Sequence, residues 1–290
     1  MGLIDFILNL AGLLLWLNWR SLRFDPLVRT SASDLIATLR RAEPRRLRGW
    51  QLLAALGGLL AVRALVYQQI GSDVSWTPKL NLFVVVLPFP VNARGWSGLG
   101  VLGLYSVLSF AWFLANAYFW LLFLTLVNGR SAEGDPIQRL VRLHLGRLGR
   151  WPRPVQLLLP IMLVAVLWML LHPLLRNAGI TIRVHSRWHL LGQGLLTGAG
   201  MYFSLKYLIP FILLAHLVVS YVYLGSSPLW DFLTLTARNL LAPLRWLPLR
   251  VGKCDFAPVV GAALVLLLLQ ILPDFVHALL AKNRLTLWPN

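Results

Sequence analysis

The chain has 290 residues, 58% of them hydrophobic and 13% charged, with a mean hydropathy of +0.70 and a formal net charge of +17. Soluble domains carry about 25% charged residues, so an ordinary soluble globule is excluded. The single cysteine, Cys254, excludes an intramolecular disulfide and a cysteine-built metal site.

The apolar residues fall into about six runs near the ~20 helical residues that cross a bilayer. They cover 3–19, 50–70, 99–127, 155–175, 201–224 and 258–281. The first run lacks a basic lead-in and a small-residue cleavage site, so a retained span is expected rather than a signal peptide. The third run is overlong, which predicts tilt or extension beyond the bilayer.

The arginines sit mostly between the runs. Segment 20–49 holds eight, segment 129–153 holds six, and segment 225–256 holds three arginines and Lys253. The alternate segments are poorer in cations, so the first set is placed in the cytoplasm and both termini outside. Anionic headgroups on the cytoplasmic face are then the expected partners of the charge, with a membrane or cytoplasmic protein as a further partner. Nucleic acid is not expected.

The three basic loops share a plan. Asn18-Trp19-Arg20-Ser21 leads to Asp25-Pro26, Asn128-Gly129-Arg130-Ser131 leads to Asp135-Pro136 at the same spacing, and Ser226-Ser227-Pro228 opens the third. Each is followed by arginines with apolar residues at helical spacing, then by another proline. The expected fold class is therefore all-α membrane: three span–amphipathic segment–span repeats. Repeat units are expected at 1–75, 99–178 and 200–290, with outer loops at 76–98 and 179–199. The amphipathic segments are expected to lie along the interface or to pack against the spans.

Each outer loop carries a β-like run, 80–88 and 180–184, and the two are expected to pair outside the membrane. Gly192, Gly194, Gly198 and Gly200 precede the fifth run with small-xxx-small spacing, which suits close helix packing.

Charges inside the runs are costly and therefore informative. Arg63 lies in the second run, Lys206 early in the fifth, and Asp5 and Asp274 near the ends of the first and last. With outside termini, all four fall in the outer part of the membrane. Arg63 is expected either to pair with Asp274 or Asp5 or to snorkel, and Lys206 to snorkel. His172, His216 and His277 stand apart, and His185 and His189 lack a third ligand, so no metal site is expected. No phosphate-binding glycine loop, nucleophile elbow or zinc-protease motif occurs, so neither enzyme chemistry nor a cofactor is expected.

The last quarter reads Ser227-Pro228-Leu229, Leu240-Leu241-Ala242-Pro243-Leu244-Arg245, Pro248, Gly252, then Asp255-Phe256-Ala257-Pro258 and an apolar run. This order resembles the YggT family of small bacterial and plastid membrane proteins. Arg238-Asn239 stand where that family has Asp-Pro, Trp246 replaces its second arginine, and Ala257 replaces its serine. The resemblance implies the motif residues Pro228, Pro243, Arg245, Pro248, Gly252, Asp255, Phe256 and Pro258. It also implies an accessory role in the plasma membrane, of the kind linked to osmotic stress, cell division or cytochrome assembly. A channel or transporter is the alternative, since internal repeats are common in transporters. Read physically, Asp255 caps a helix start and Pro258 fits its first turn.

Overall fold

The computed structural model describes residues 2–23, 49–74, 77–90, 96–129, 136–146, 148, 151–181, 186–222, 227–244, 246–247, 249–251 and 254–282. The first amphipathic segment, Arg245, Pro248 and Gly252 lie outside these residues. Nine helices are described: α1 (Gly2–Arg23), α2 (Gly49–Val74), α3 (Trp96–Asn128), α4 (Pro136–Leu145), α5 (Arg153–Asn177), α6 (Arg187–Gly200), α7 (Leu205–Tyr221), α8 (Pro228–Leu240) and α9 (Ala257–Lys282). Short strands β1 (Lys79–Asn81) and β2 (Val86–Pro88) pair with each other, as do β3 (Arg250–Val251) and β4 (Cys254–Asp255).

Among the described residues, five stretches are long and apolar enough to cross a bilayer: Gly2–Arg20, Gly49–Gly71, Gly98–Asn128, Arg153–Asn177 and Arg187–Tyr221. They make this a mainly helical chain with the build of a multi-pass membrane protein. A sixth helix, α9, is apolar over Ala257–Leu272.

Two expectations are corrected. Residues 187–199, read as part of an outer loop, are helix α6, which runs through a 3-10 turn at Met201–Ser204 into α7. Glycines mark loops in water. In lipid a backbone must satisfy its own hydrogen bonds, and a helix does so whatever its glycine content. Ser186 caps the start by accepting from the Trp188 N–H at 3.3 Å. The run 80–88 is not one strand. It folds back on itself through a turn in which the Leu82 N–H donates to the Val85 carbonyl at 2.8 Å. Phe83 takes a left-handed φ of 67°, and Asn81 Oδ1 accepts from its N–H at 2.8 Å. The pairing described for this run is therefore internal, β1 with β2. The expected partner run at 180–184 has its residues 182–184 outside the described ones.

The chain divides into two compact units. The first comprises Met1–Leu80 and Pro88–Leu114, the second Asn81–Leu87 and Ala115–Asn290.

In the first unit α1 packs on α2 and on the first half of α3. A Cβ on Gly12 would stand 2.8 Å from Phe110 Cε2, and the Phe6 and Phe113 rings meet edge to face at 5.8 Å.

In the second unit α4 lays Val141 and Leu145 against Leu122 of α3, so this amphipathic segment packs against a span. The helix α5 ends where Gly179, at φ +70°, donates to the Arg176 carbonyl and Ile180 donates to that of Leu175. This reversal needs a residue at ease in the left-handed region. It turns the chain back so that α6 runs antiparallel to α5. Gly194 and Gly198 meet the backbone of Ala165 and Ile161, with built Cβ positions 2.8 and 2.7 Å from α5 atoms. The glycine spacing thus brings two helix backbones together. The helix α9 packs on α7 and the end of α8, where Gly261 faces Leu213, Leu241 and Leu244.

Candidate functional site: a buried arginine network and its surroundings

The charged centre of the first unit is built from three polar pairs, each one turn apart on its helix. Asp5 and Asn9 come from α1, Arg63 and Tyr67 from α2, and Tyr105 and Ser109 from α3. Residues four apart share a helix face, so each apolar helix presents one polar stripe, and the three stripes meet. Arg63 Nη2 donates to Asp5 Oδ1 at 2.6 Å and to Ser109 Oγ at 3.1 Å. Arg63 Nη1 donates to Asn9 Oδ1 at 2.8 Å. Asn9 Nδ2 donates to Ser109 Oγ at 3.1 Å, and the Tyr67 hydroxyl donates to Asp5 Oδ1 at 2.6 Å. The guanidinium carbon lies 5.4 Å from the Tyr67 ring centre and 5.1 Å from that of Tyr105. Phe89, fully buried, packs on Tyr105 at 5.1 Å.

The Arg63 side chain is 0% exposed and that of Asp5 19%. Of the two alternatives for Arg63, pairing and snorkelling, the geometry is pairing, with Asp5 as the partner. Asp274 stands in α9, and its side chain lies outside the described residues. Arg63 Nε and Ser106 Oγ are buried without a protein hydrogen-bond partner. The chemistry is that of a neutralised, hydrogen-bonded ion pair ringed by aromatic faces. Asn9, Tyr67, Tyr105 and Ser109 escaped the sequence reading. Their only signal is a polar pair four apart in an apolar run.

In the second unit a buried amide cluster joins α3 to α8. Asn128, 1% exposed, donates from Nδ2 to Thr236 Oγ1 at 2.9 Å and accepts at Oδ1 from Asn239 Nδ2 at 3.3 Å. Asn128, noted in the loop motif, thus ties a span to an amphipathic helix. Nearer the middle of the unit, Trp120 Nε1 donates to Ser204 Oγ at 3.0 Å, and the Phe119 and Tyr202 rings meet at 4.8 Å.

Among the motif residues that are described, Pro228 opens α8 behind Ser227, whose hydroxyl accepts from the Leu229 N–H at 3.4 Å. Pro243 lies in a 3-10 turn, Ala242–Leu244. Asp255 Oδ1 accepts from the Ala257 N–H at 3.0 Å and so caps α9, and its own N–H donates to the Tyr221 hydroxyl at 3.1 Å. Phe256 is exposed and Pro258 is buried in the first turn of α9. These groups order a chain reversal.

Lys206 lies midway along the Arg187–Tyr221 stretch rather than early in a span. Its Nζ stands 5.1 Å from the Tyr207 ring centre. Helix α6, in place of the loop expected at 187–199, adds apolar helix ahead of it. Among the described residues no three His, Cys, Asp or Glu side chains come together. No family model, curated protein or solved structure matches the chain.

Proposed function

We propose that the chain is a non-catalytic scaffold or assembly factor of the plasma membrane, of YggT type, whose basic cytoplasmic face binds anionic lipid or a partner protein. The observation that carries this reading is the Arg63 network. The intramembrane cation is spent on Asp5, Asn9 and Ser109 at zero exposure instead of lining an open path. Helices α4 and α8 fit the amphipathic segments of the second and third repeats, and the Asp255-capped start of α9 fits the family's motif. The hairpin β1–β2 belongs to an outer loop in this arrangement, and both termini lie outside.

One feature favours transport as a second reading. The 3-10 turn at Met201–Ser204 interrupts a 35-residue apolar stretch, with Lys206 beside it. Broken helices with a nearby charge line transporter sites. Flux of common cations and anions into liposomes holding the purified chain separates the two. The scaffold reading predicts no flux above empty liposomes. Flux that a Lys206→Gln variant changes would replace it with the transport reading.

The orientation has its own check. Cys254, in the third basic loop, is expected to resist a membrane-impermeant thiol reagent in intact cells and to react after lysis. Labelling of intact cells would invert the topology.

A further inference from the structure

The hairpin β1–β2 stands in the loop that joins α2 to α3, yet its turn has the chemistry of a segment that meets lipid. From Leu80 to Pro90 the only polar side chain is that of Asn81. Phe83 holds the left-handed position, where glycine is the easy choice in water. Three successive N–H groups of the turn are satisfied locally. Leu82 donates to the Val85 carbonyl at 2.8 Å, Phe83 to Asn81 Oδ1 at 2.8 Å, and Val84 to the Leu82 carbonyl at 2.9 Å. A turn in water can leave such donors to solvent, whereas a turn in hydrocarbon must satisfy them itself.

The turn is seated on a helix break. The segment Asn81–Leu87 groups with α6 and α7 in the second unit. A Cβ built on Gly200 would stand 2.6 Å from Val84 Cγ2, 3.5 Å from Val84 Cβ and 3.3 Å from the Leu82 carbonyl oxygen. Gly200 is the last residue of α6, directly before the 3-10 turn at Met201–Ser204. Its missing side chain leaves the space that Val84 fills. Leu82, Val85 and Leu87 are buried, and so are Met201, Phe203 and Ser204 of the break. Irregular backbone at membrane depth needs such cover from protein.

The depth of the seat follows from two helices. Gly200 lies thirteen residues beyond Arg187, or roughly 20 Å along α6. Two residues further on, the Tyr202 ring meets that of Phe119, which stands nine residues before Asn128, or roughly 13 Å from the end of that span. These two ends lie on opposite sides, since α5 crosses between them, and the two lengths together match the ~30 Å hydrocarbon core.

We propose that the β1–β2 hairpin is a re-entrant plug: it dips into the membrane from the α2–α3 loop, and its turn seals the break between α6 and α7 at Gly200. Such a plug goes beyond a scaffold role and holds whichever side the loop faces. A solute path through the break would require the turn to leave its seat.

The test uses the full chain with its native cysteine removed (Cys254→Ser). In Val84→Cys with Gly200→Cys the two Cβ positions lie 3.5 Å apart, within the about 3.5–4.5 Å that a disulfide spans. The valine methyl that would crowd position 200 is gone in this pair. Oxidation in native membranes is expected to link the two, so that denaturation exposes no thiol to a maleimide, against two before oxidation. Thr77→Cys with Gly200→Cys is the control, at the open end of the hairpin, and both its thiols are expected to survive. The second measurement needs no change at Gly200. In broken membranes, open on both sides to a membrane-impermeant maleimide, the exposed Thr77→Cys is expected to react. Val84→Cys is expected to stay unmodified until the protein is denatured. Val84→Cys reacting as fast as Thr77→Cys would put the turn in water and overturn the re-entry. A protected Val84→Cys that forms no disulfide with Gly200→Cys would overturn the seat at the break, and equal linking of the control would do the same.

Discussion

Gly198→Ala is expected to lower stability by about 3 kcal/mol, the upper end of ordinary overpacking, and Gly198→Leu to prevent the second unit from folding. The reason is local. A Cβ at position 198 would stand 2.7 Å from the Ile161 carbonyl oxygen, 2.8 Å from its Cα and 3.1 Å from its carbonyl carbon. All three are backbone atoms of α5, so no rotamer change relieves the clash. The helices must part, and parting them separates Gly194 from Ala165 and Trp168 from Gln193. Intrinsic propensity alone predicts the opposite sign, because alanine favours a helix over glycine by about 1 kcal/mol. The control uses that contrast. Nothing lies within 4 Å of a Cβ at Gly57 or Gly58 of α2, so alanine there is expected to be neutral or mildly stabilising. Thermal unfolding in detergent, followed by circular dichroism and size-exclusion, compares the three sites. A Gly198→Ala variant that unfolds with the wild type would mean that α5 and α6 do not touch at these rungs.

The spans were legible because a bilayer imposes a length, and six apolar runs of that length leave few alternatives. Their positions shifted most where glycine was read with the rules of water. Residues 192–200 look like a loop by composition, yet they are helical, and Gly194 and Gly198 among them face the backbone of α5. The β-like run near 80–88 was legible as extended chain. The turn at Asn81–Val85 was not, because Phe83 in a left-handed conformation breaks the usual preference for glycine. The charge at Arg63 was legible as an anomaly, and Asp5 as one of two partners. Asn9 and Ser109 were hidden because small polar residues are common in spans and carry no charge to betray them. The Asn128–Thr236 contact joins residues 108 positions apart, a separation that no local periodicity encodes.

Asp5→Ala is expected to cost about 3–5 kcal/mol, because it strands a buried guanidinium without its counter-charge. Arg63 cannot reach water by a small adjustment, since its side chain is 0% exposed and both terminal nitrogens are engaged. Asn9 and Ser109 supply dipoles, not charge. Tyr67, whose hydroxyl donates to the same Asp5 oxygen, would lose its acceptor at the same time. The converse change separates attraction from desolvation. In Arg63→Met with Asp5→Leu both charges disappear, and replacing a buried pair by apolar residues is typically neutral or stabilising by about 1–4 kcal/mol. The double variant is therefore expected to be close to wild type and well above either single one. Tyr67→Phe removes one hydrogen bond to a charged group and is expected to cost about 1.5–3 kcal/mol. The readout is the unfolding midpoint of each variant in detergent, closed as a double-mutant cycle. Additive losses in the cycle would show that Asp5 and Arg63 do not depend on each other and would dismantle the network as a unit. Strong coupling would establish the ion pair as what holds α1 against α2, and would explain why an apolar helix keeps so costly a side chain.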